Sequence, residues 1–155
     1  MNVSFDLNGQ PVSIRVEPNI SLLDAIRDTI GITSVKKGCE QGECGACTVL
    51  IDGAPVTSCL VLAPQVEGRH VTTLEGLEMN PLMIDLREAF IENGAVQCGF
   101  CTPGMLISAY ALLRDNPDPS EEEVKIGIEG NICRCTGYTK IIEAILDAAE
   151  RIAPE

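Results

Sequence analysis

The chain has 155 residues, 45% hydrophobic, 22% charged and only 3% aromatic, with a formal net charge of −12. That length suits one ordinary domain or two small ones, and the acidic balance argues against nucleic-acid binding, which calls for basic patches. No apolar run approaches the ~20 residues of a membrane span, so no membrane partner is expected.

The start, Met-Asn-Val-Ser-Phe-Asp-Leu-Asn, has neither a basic stretch nor an apolar signal core. The expected location is therefore cytoplasmic. The acidic surface serves solubility, or steers the chain toward a basic protein partner. In a reducing compartment, the eight cysteines suggest metal or redox chemistry rather than structural disulfides.

Residues 3–7 alternate as Val-Ser-Phe-Asp-Leu, a half-buried strand pattern. Asn8-Gly9 is a hairpin turn signal, and a second alternating run covers Val12 to Val16. After Pro18, Ser21 and Asp24 suggest a capping box. Leu22, Ile26 and Ile30 follow at helical spacing, with Gly31 as the stop. Residues 36–47 form a glycine- and cysteine-rich loop. Thr48–Ile51, Asp52-Gly53 and Val56–Val61 predict another hairpin, and Arg69–Leu74 a last strand. The first half is thus expected to be a small twisted sheet crossed by one helix.

Glu75–Pro81 looks like a linker, and helical spacing takes over after it. Met83, Leu86 and Phe90 space a first helix ending near Asn93-Gly94. Pro103–Arg114 forms a second, with Thr102 as its N-cap. Ser120 and Glu123 cap a third. Ile141, Ile145, Ala149 and Ile152 space a fourth. Four short amphipathic helices suggest a bundle. The domain expectation is residues 1–76 and 77–155. Within the second half, the run from Cys101 to Ala109 weakly repeats in the run from Cys135 to Ala144, each opening an apolar helix with Cys-Thr.

Cys39, Cys44, Cys47 and Cys59 follow C-x4-C-x2-C-x11-C. The first three spacings match the plant-type 2Fe-2S pattern, in which a glycine-rich loop wraps the cluster and a distant thiolate closes it. Gly38, Gly42 and Gly45 lie beside those cysteines, where a loop must turn its N–H groups toward sulfur.

Cys98, Cys101, Cys133 and Cys135 follow C-x2-C-x31-C-x1-C. Residues two apart diverge around a helix but share a face in extended chain. Cys133 and Cys135 can therefore serve one site from a loop or extended segment, but not from mid-helix. Both pairs lie just before predicted helices, whose N-termini carry partial positive charge. Four-cysteine zinc remains an alternative for these sites, and disulfides a weaker one. A Rieske centre needs two histidines, whereas the chain has only His70. Lys36, Lys37 and Arg134 lie near the cysteines, to tune their potential, to meet a partner, or as solvated side chains.

These two cysteine sets, in this order, occur with Gln97-Cys98-Gly99-Phe100-Cys101-Thr102-Pro103-Gly104 and Gly130-Asn131-Ile132-Cys133-Arg134-Cys135-Thr136-Gly137-Tyr138. Over nearly its whole length the chain resembles the small iron–sulfur subunits of the molybdenum hydroxylases, the xanthine dehydrogenase and aldehyde oxidoreductase family. The resemblance implies an α+β protein, a plant-ferredoxin-like β-grasp domain followed by an all-α four-helix bundle. It implies two 2Fe-2S clusters, one on each cysteine set. It implies a large molybdopterin-binding partner subunit near the helical cluster, with Gln97 and Cys135 approaching the pterin. It also implies onward relay, commonly to an FAD-binding subunit, or to another acceptor.

No G-x-G-x-x-G follows a strand, and the chain lacks room for a molybdopterin domain. It is therefore expected to be a non-catalytic electron-transfer subunit of an oxidoreductase. A free electron shuttle and a zinc or redox-sensing module are the competing functions.

Overall fold

The computed structural model describes residues 1–153. β1 (Asn2–Leu7) and β2 (Gln10–Arg15) form an antiparallel hairpin. Asn8 and Gly9 both take positive φ, 56° and 79°, the two-residue turn whose twist matches that of the strands. Val3, Phe5 and Leu7 point into the core, as the alternation predicts.

Ser21 caps the next element, its hydroxyl accepting from the Asp24 N–H at 3.0 Å. Only one turn of α-helix follows, α1 (Leu22–Asp24), before the chain loosens into a π-helical Ala25–Ile30. Gly31, at φ 92°, ends it as expected. Leu22, Leu23, Ala25 and Ile26 pack with Val3, Phe5, Val49 and Val71 in one core.

β3 (Thr48–Ile51) and β4 (Ala54–Thr57) form the second hairpin, and β5 (His70–Thr72) completes a five-stranded sheet in the order β2-β1-β5-β3-β4. β5 runs parallel to β1 and antiparallel to β3. β4 stops earlier than its sequence suggests. A 3-10 turn, Ser58–Leu60, breaks it, because buried Ser58 turns its N–H and its hydroxyl onto the Cys47 carbonyl at 3.3 and 2.7 Å. β5 is also shorter than Arg69–Leu74: the Thr73 N–H leaves the ladder for the Asn8 side chain at 2.8 Å.

All four residues of β3 are buried, serving two cores. Val49 and Ile51 belong to the core under α1, whereas Leu50 joins the core of the helical half. The predicted linker is structured, with a 3-10 turn at Leu74–Leu77 and Leu77 in the helical core.

α2 (Pro81–Glu92) starts on Asn80, whose side chain accepts from the Leu82 and Met83 N–H groups, with Pro81 in the first helical position. α3 (Thr102–Asp115) begins one residue before the predicted start. Cys101, not Thr102, is its N-cap residue, and no side chain caps it. α4 (Glu121–Gly127) carries the predicted capping box: Ser120 accepts from the Glu123 N–H and Glu123 from the Ser120 N–H. α5 (Thr139–Ile152) closes the described chain. α2 packs against α3 and α5, α4 against α3 and α5, and α3 also against β3. Met83, Leu86, Phe90, Met105, Leu113, Ile141 and Ile145 are each at most 1% exposed. Among the described residues no helix is long and apolar enough to cross a membrane.

Candidate metal centres

The loop before β3 holds Cys39, Cys44 and Cys47, and the turn after β4 holds Cys59. The N–H groups of Gln41, Glu43 and Cys44 all donate to the Cys39 sulfur, at 3.4, 3.4 and 3.3 Å. Those bonds hold its pKa at about 7, well below an ordinary thiol. Burial, helped by the neighbouring Cys47, pushes Cys59 up to about 11.

The loop leaves no slack. A Cβ on Gly38 would sit 2.7 Å from the Cys44 sulfur. Gly45 has φ +69°, and a Cβ there would meet the Gly130 carbonyl at 2.2 Å. Glycine is the residue that tolerates both the backbone conformation and the approach. Lys37, expected near the sulfurs, is held by Asp24 and Glu40 at 2.9 and 3.0 Å. Lys36 is likewise tied, to the Thr33 carbonyl.

The second set straddles the entrances to α3 and α5. Cys101 lies immediately before α3, but Cys135 lies four residues before α5, so the two halves of the weak sequence repeat differ here. The intervening turn is built by Tyr138, a non-glycine residue at φ 71°. Its hydroxyl accepts from the Cys133 N–H at 3.1 Å, and its own N–H donates to Thr136 Oγ1. Thr136 Oγ1 in turn lies 3.1 Å from the Cys133 sulfur. Burial raises the Cys133 thiol's pKa, but the bonds from Thr136, Cys135 and Cys101 together outweigh it and the net shift is downward. Burial, helped by the neighbouring Cys133, pushes Cys101 up to about 12, and the Thr102 side chain opposes it only in part.

Cys133 is buried and Cys101 half-buried, whereas Cys98 and Cys135 are exposed. Gln97, Phe100, Ile132 and Arg134 are exposed beside them. Between the two sets lies a cleft of about 160 Å³, lined among others by Gly38, Cys44, Phe100, Cys101, Cys133 and Arg134.

The sulfurs gather by set. Cys39 interacts with Cys44, and Cys59 with both Cys47 and Cys39. In the helical half Cys101 interacts with Cys133 and Cys98, and Cys135 with Cys98 and Cys133. Four cysteines in each half are the donor set that a 2Fe-2S cluster takes.

The residues that shape these sites from a distance were not assigned roles from sequence. Tyr138, Thr136 and Asn131 lie inside the motifs, but Ser58 and Ser108 carry no local signal.

The chain matches the 2Fe-2S iron-sulfur cluster binding domain over residues 5–76 and the 2Fe-2S binding domain family over residues 73–146. It is 51% identical to the nicotinate dehydrogenase small FeS subunit of Eubacterium barkeri, over 99% of this chain and 98% of that one. Among solved structures it resembles quinoline 2-oxidoreductase from Pseudomonas putida, with TM-score 0.92 and 50% identity over 97% of this chain and 94% of that one. The aldehyde oxidoreductase of Desulfovibrio desulfuricans is similar at TM-score 0.89 and 44% identity, covering 97% of this chain but 17% of that one. The same unit is therefore a separate small subunit in one relative and a fraction of a far longer chain in another. With two 2Fe-2S binding domains and a relative of this closeness over its whole length, the chain belongs to the small iron–sulfur subunits of the molybdenum hydroxylase family, the non-catalytic, electron-transferring part of an oxidoreductase.

Proposed function

We propose that Cys39, Cys44, Cys47 and Cys59 hold one 2Fe-2S cluster and Cys98, Cys101, Cys133 and Cys135 a second. We propose further that electrons reach the helical site from a large molybdopterin-binding subunit and leave from the ferredoxin-like site toward an FAD-binding subunit. The observation that carries the ligand assignment is that the fold gathers each set of four cysteines in its own half, one around the loop before β3 and the turn after β4, the other at the entrances to α3 and α5.

A 2Fe-2S cluster supplies one-electron chemistry. The protein supplies the rest. The three N–H groups on Cys39 stabilise negative charge on its sulfur. The Cys44 carbonyl, one residue's backbone away from a proposed ligand sulfur, accepts from the Ile132 N–H at 2.9 Å. Ile132 directly precedes Cys133. Backbone and one hydrogen bond therefore join the two ligand sets.

The exposed face around Cys98 and Cys135 supports docking of the large subunit. Val96, Phe100 and Ile132 are 40%, 47% and 50% exposed there, an apolar rim around sulfur that a partner would cover. Gln97 on this face offers amide donors and an acceptor suited to a pterin's mixed hydrogen-bonding edge, beside Cys135. The division into residues 1–76 and 77–155 is a proposal that the two apolar cores support, since apart from Leu50 the buried residues of the helical core begin at Leu77. We also propose a cytoplasmic location, a reducing compartment in which cysteines serve as metal ligands rather than disulfides.

The test is metal and sulfide analysis of anaerobically prepared protein. About four irons and four labile sulfides per chain are expected for two such clusters. Stoichiometric zinc without sulfide would end the reading.

A further inference from the structure

Asn131 is 5% exposed, and both ends of its side chain are engaged. Its Nδ2 donates to the Gly45 carbonyl at 3.1 Å, across 86 residues of sequence. Its Oδ1 accepts from the Ser108 hydroxyl on α3 at 2.6 Å. A carbonyl can only accept, so the amide nitrogen must face Gly45; the serine hydroxyl is free to rotate and satisfies the other end.

Gly45 lies between Cys44 and Cys47, and Asn131 lies two residues before Cys133. The next residue along each strand of this contact repeats the link, since Ile132 N–H donates to the Cys44 carbonyl. Gly104 on α3 completes the seat, because a Cβ there would meet the Gly45 carbonyl at 2.3 Å. The Gly45 carbonyl is also held within its own loop by the Thr48 N–H and the Thr48 hydroxyl, at 3.1 and 2.6 Å. Three donors on one carbonyl are more than local folding needs. Only the one from Asn131 crosses to the other cysteine set.

We propose that Asn131 is a positioning residue for electron relay between the two sites: with Ser108 as its orienting partner, it locks the Cys44–Gly45 segment against the Cys133 loop and so fixes their separation and mutual orientation. Among the described residues the Asn131 side chain makes its hydrogen bonds to Gly45 and Ser108 and none to a sulfur. It acts through the two backbone carbonyls and the Ile132 N–H. Burial makes the lock rigid, since a buried unpaired amide or carbonyl is costly, and neither partner finds water if the contact opens.

The inference rests on the two-cluster reading, and iron and sulfide content of wild type and variants checks that reading separately. The experiment uses the loaded, assembled protein carrying Asn131→Ala, Ser108→Ala or Thr48→Val. The readout is the magnetic interaction between the two reduced clusters in low-temperature electron paramagnetic resonance, together with the rate of electron redistribution between them after rapid mixing. Asn131→Ala should keep its iron and both signals, change the interaction splitting, and slow redistribution several-fold. Ser108→Ala should give the same signature more weakly. Thr48→Val removes a bond to the same carbonyl from within one loop, and should leave the splitting as in wild type. If Asn131→Ala does not load, Ser108→Ala decides. Wild-type splitting and redistribution in a loaded Asn131→Ala, or failing that in Ser108→Ala, would overturn the proposal. So would equal changes in Asn131→Ala and Thr48→Val, which would mark Asn131 as merely stabilising.

Discussion

The Cys44 carbonyl and the Ile132 N–H meet at 2.9 Å, joining two stretches of chain that each carry proposed ligand sulfurs. The two halves are therefore not beads on a string. Their sulfurs gather within each half, while their backbones bond across it.

Gathering within halves makes the two sites separable by mutation. Cys59→Ser should abolish the ferredoxin-like signal in electron paramagnetic resonance of reduced protein and leave the helical one. Cys133→Ser should do the reverse, and should also loosen the helices, because metal binding and folding are coupled. Loss of both signals from a folded single variant would mean that ligands are shared between the halves.

Gly38→Ala puts a methyl 2.7 Å from the Cys44 sulfur, and that sulfur could turn away only by leaving its proposed place as a ligand. Iron content should fall by about half, the ferredoxin-like site being the one lost. Gly130→Ala is the control, since a Cβ there meets nothing within 4 Å. It should load normally. Equal iron in both variants would remove the steric argument.

Gln97→Ala should leave iron content and both signals intact, since the side chain is exposed and is not a proposed ligand. In the assembled complex it should slow reduction of the clusters by substrate or weaken assembly. The loss should be modest, about 0.5–1.5 kcal/mol for one hydrogen bond and about 1–3 if a buried partner is stranded. Rapid-mixing kinetics together with size-exclusion chromatography read both effects. If kinetics and assembly are both unchanged, Gln97 is a bystander.

Leu50 is a sheet residue in the helical core, 3% exposed. Leu50→Ala should cost about 2–5 kcal/mol. Helical and ferredoxin-like signals should shift together in a denaturant titration. A shift confined to one half would show that the halves unfold independently.

Local chemistry was readable from the sequence wherever it has a short period or a short motif. Asn8-Gly9 and Asp52-Gly53 gave the hairpins, Ser120 with Glu123 the start of α4, and the cysteine spacings the two sets. What escaped was long-range. The break in β4 at Ser58 depends on the Cys47 carbonyl, eleven residues away, and Asn131 depends on Gly45 and Ser108. Such bonds leave no periodicity to detect. Thr102 was expected to cap α3 because Thr-Pro suits a helix start, yet the helix already includes Thr102 and uses Cys101 instead. The substrate is not legible at all, because selectivity belongs to the proposed large partner and not to any residue here.

The double burial of β3 has a consequence at the sulfurs. In most strands one face is wet, and a one-residue slip is punished by throwing apolar side chains into water. In β3 both faces are dry, so a slip would exchange Leu50 for Val49 or Ile51 between two apolar cores, a weak deterrent. The burden of alignment shifts to the turn. Asp52 and Gly53, at φ 49° and 84°, admit one tight reversal, and that reversal sets Thr48 opposite Thr57. Cys47 and Cys59 lie just beyond that last pair. A two-residue corner at the opposite end of the hairpin thus acts as the gauge that sets the bite of the proposed iron site.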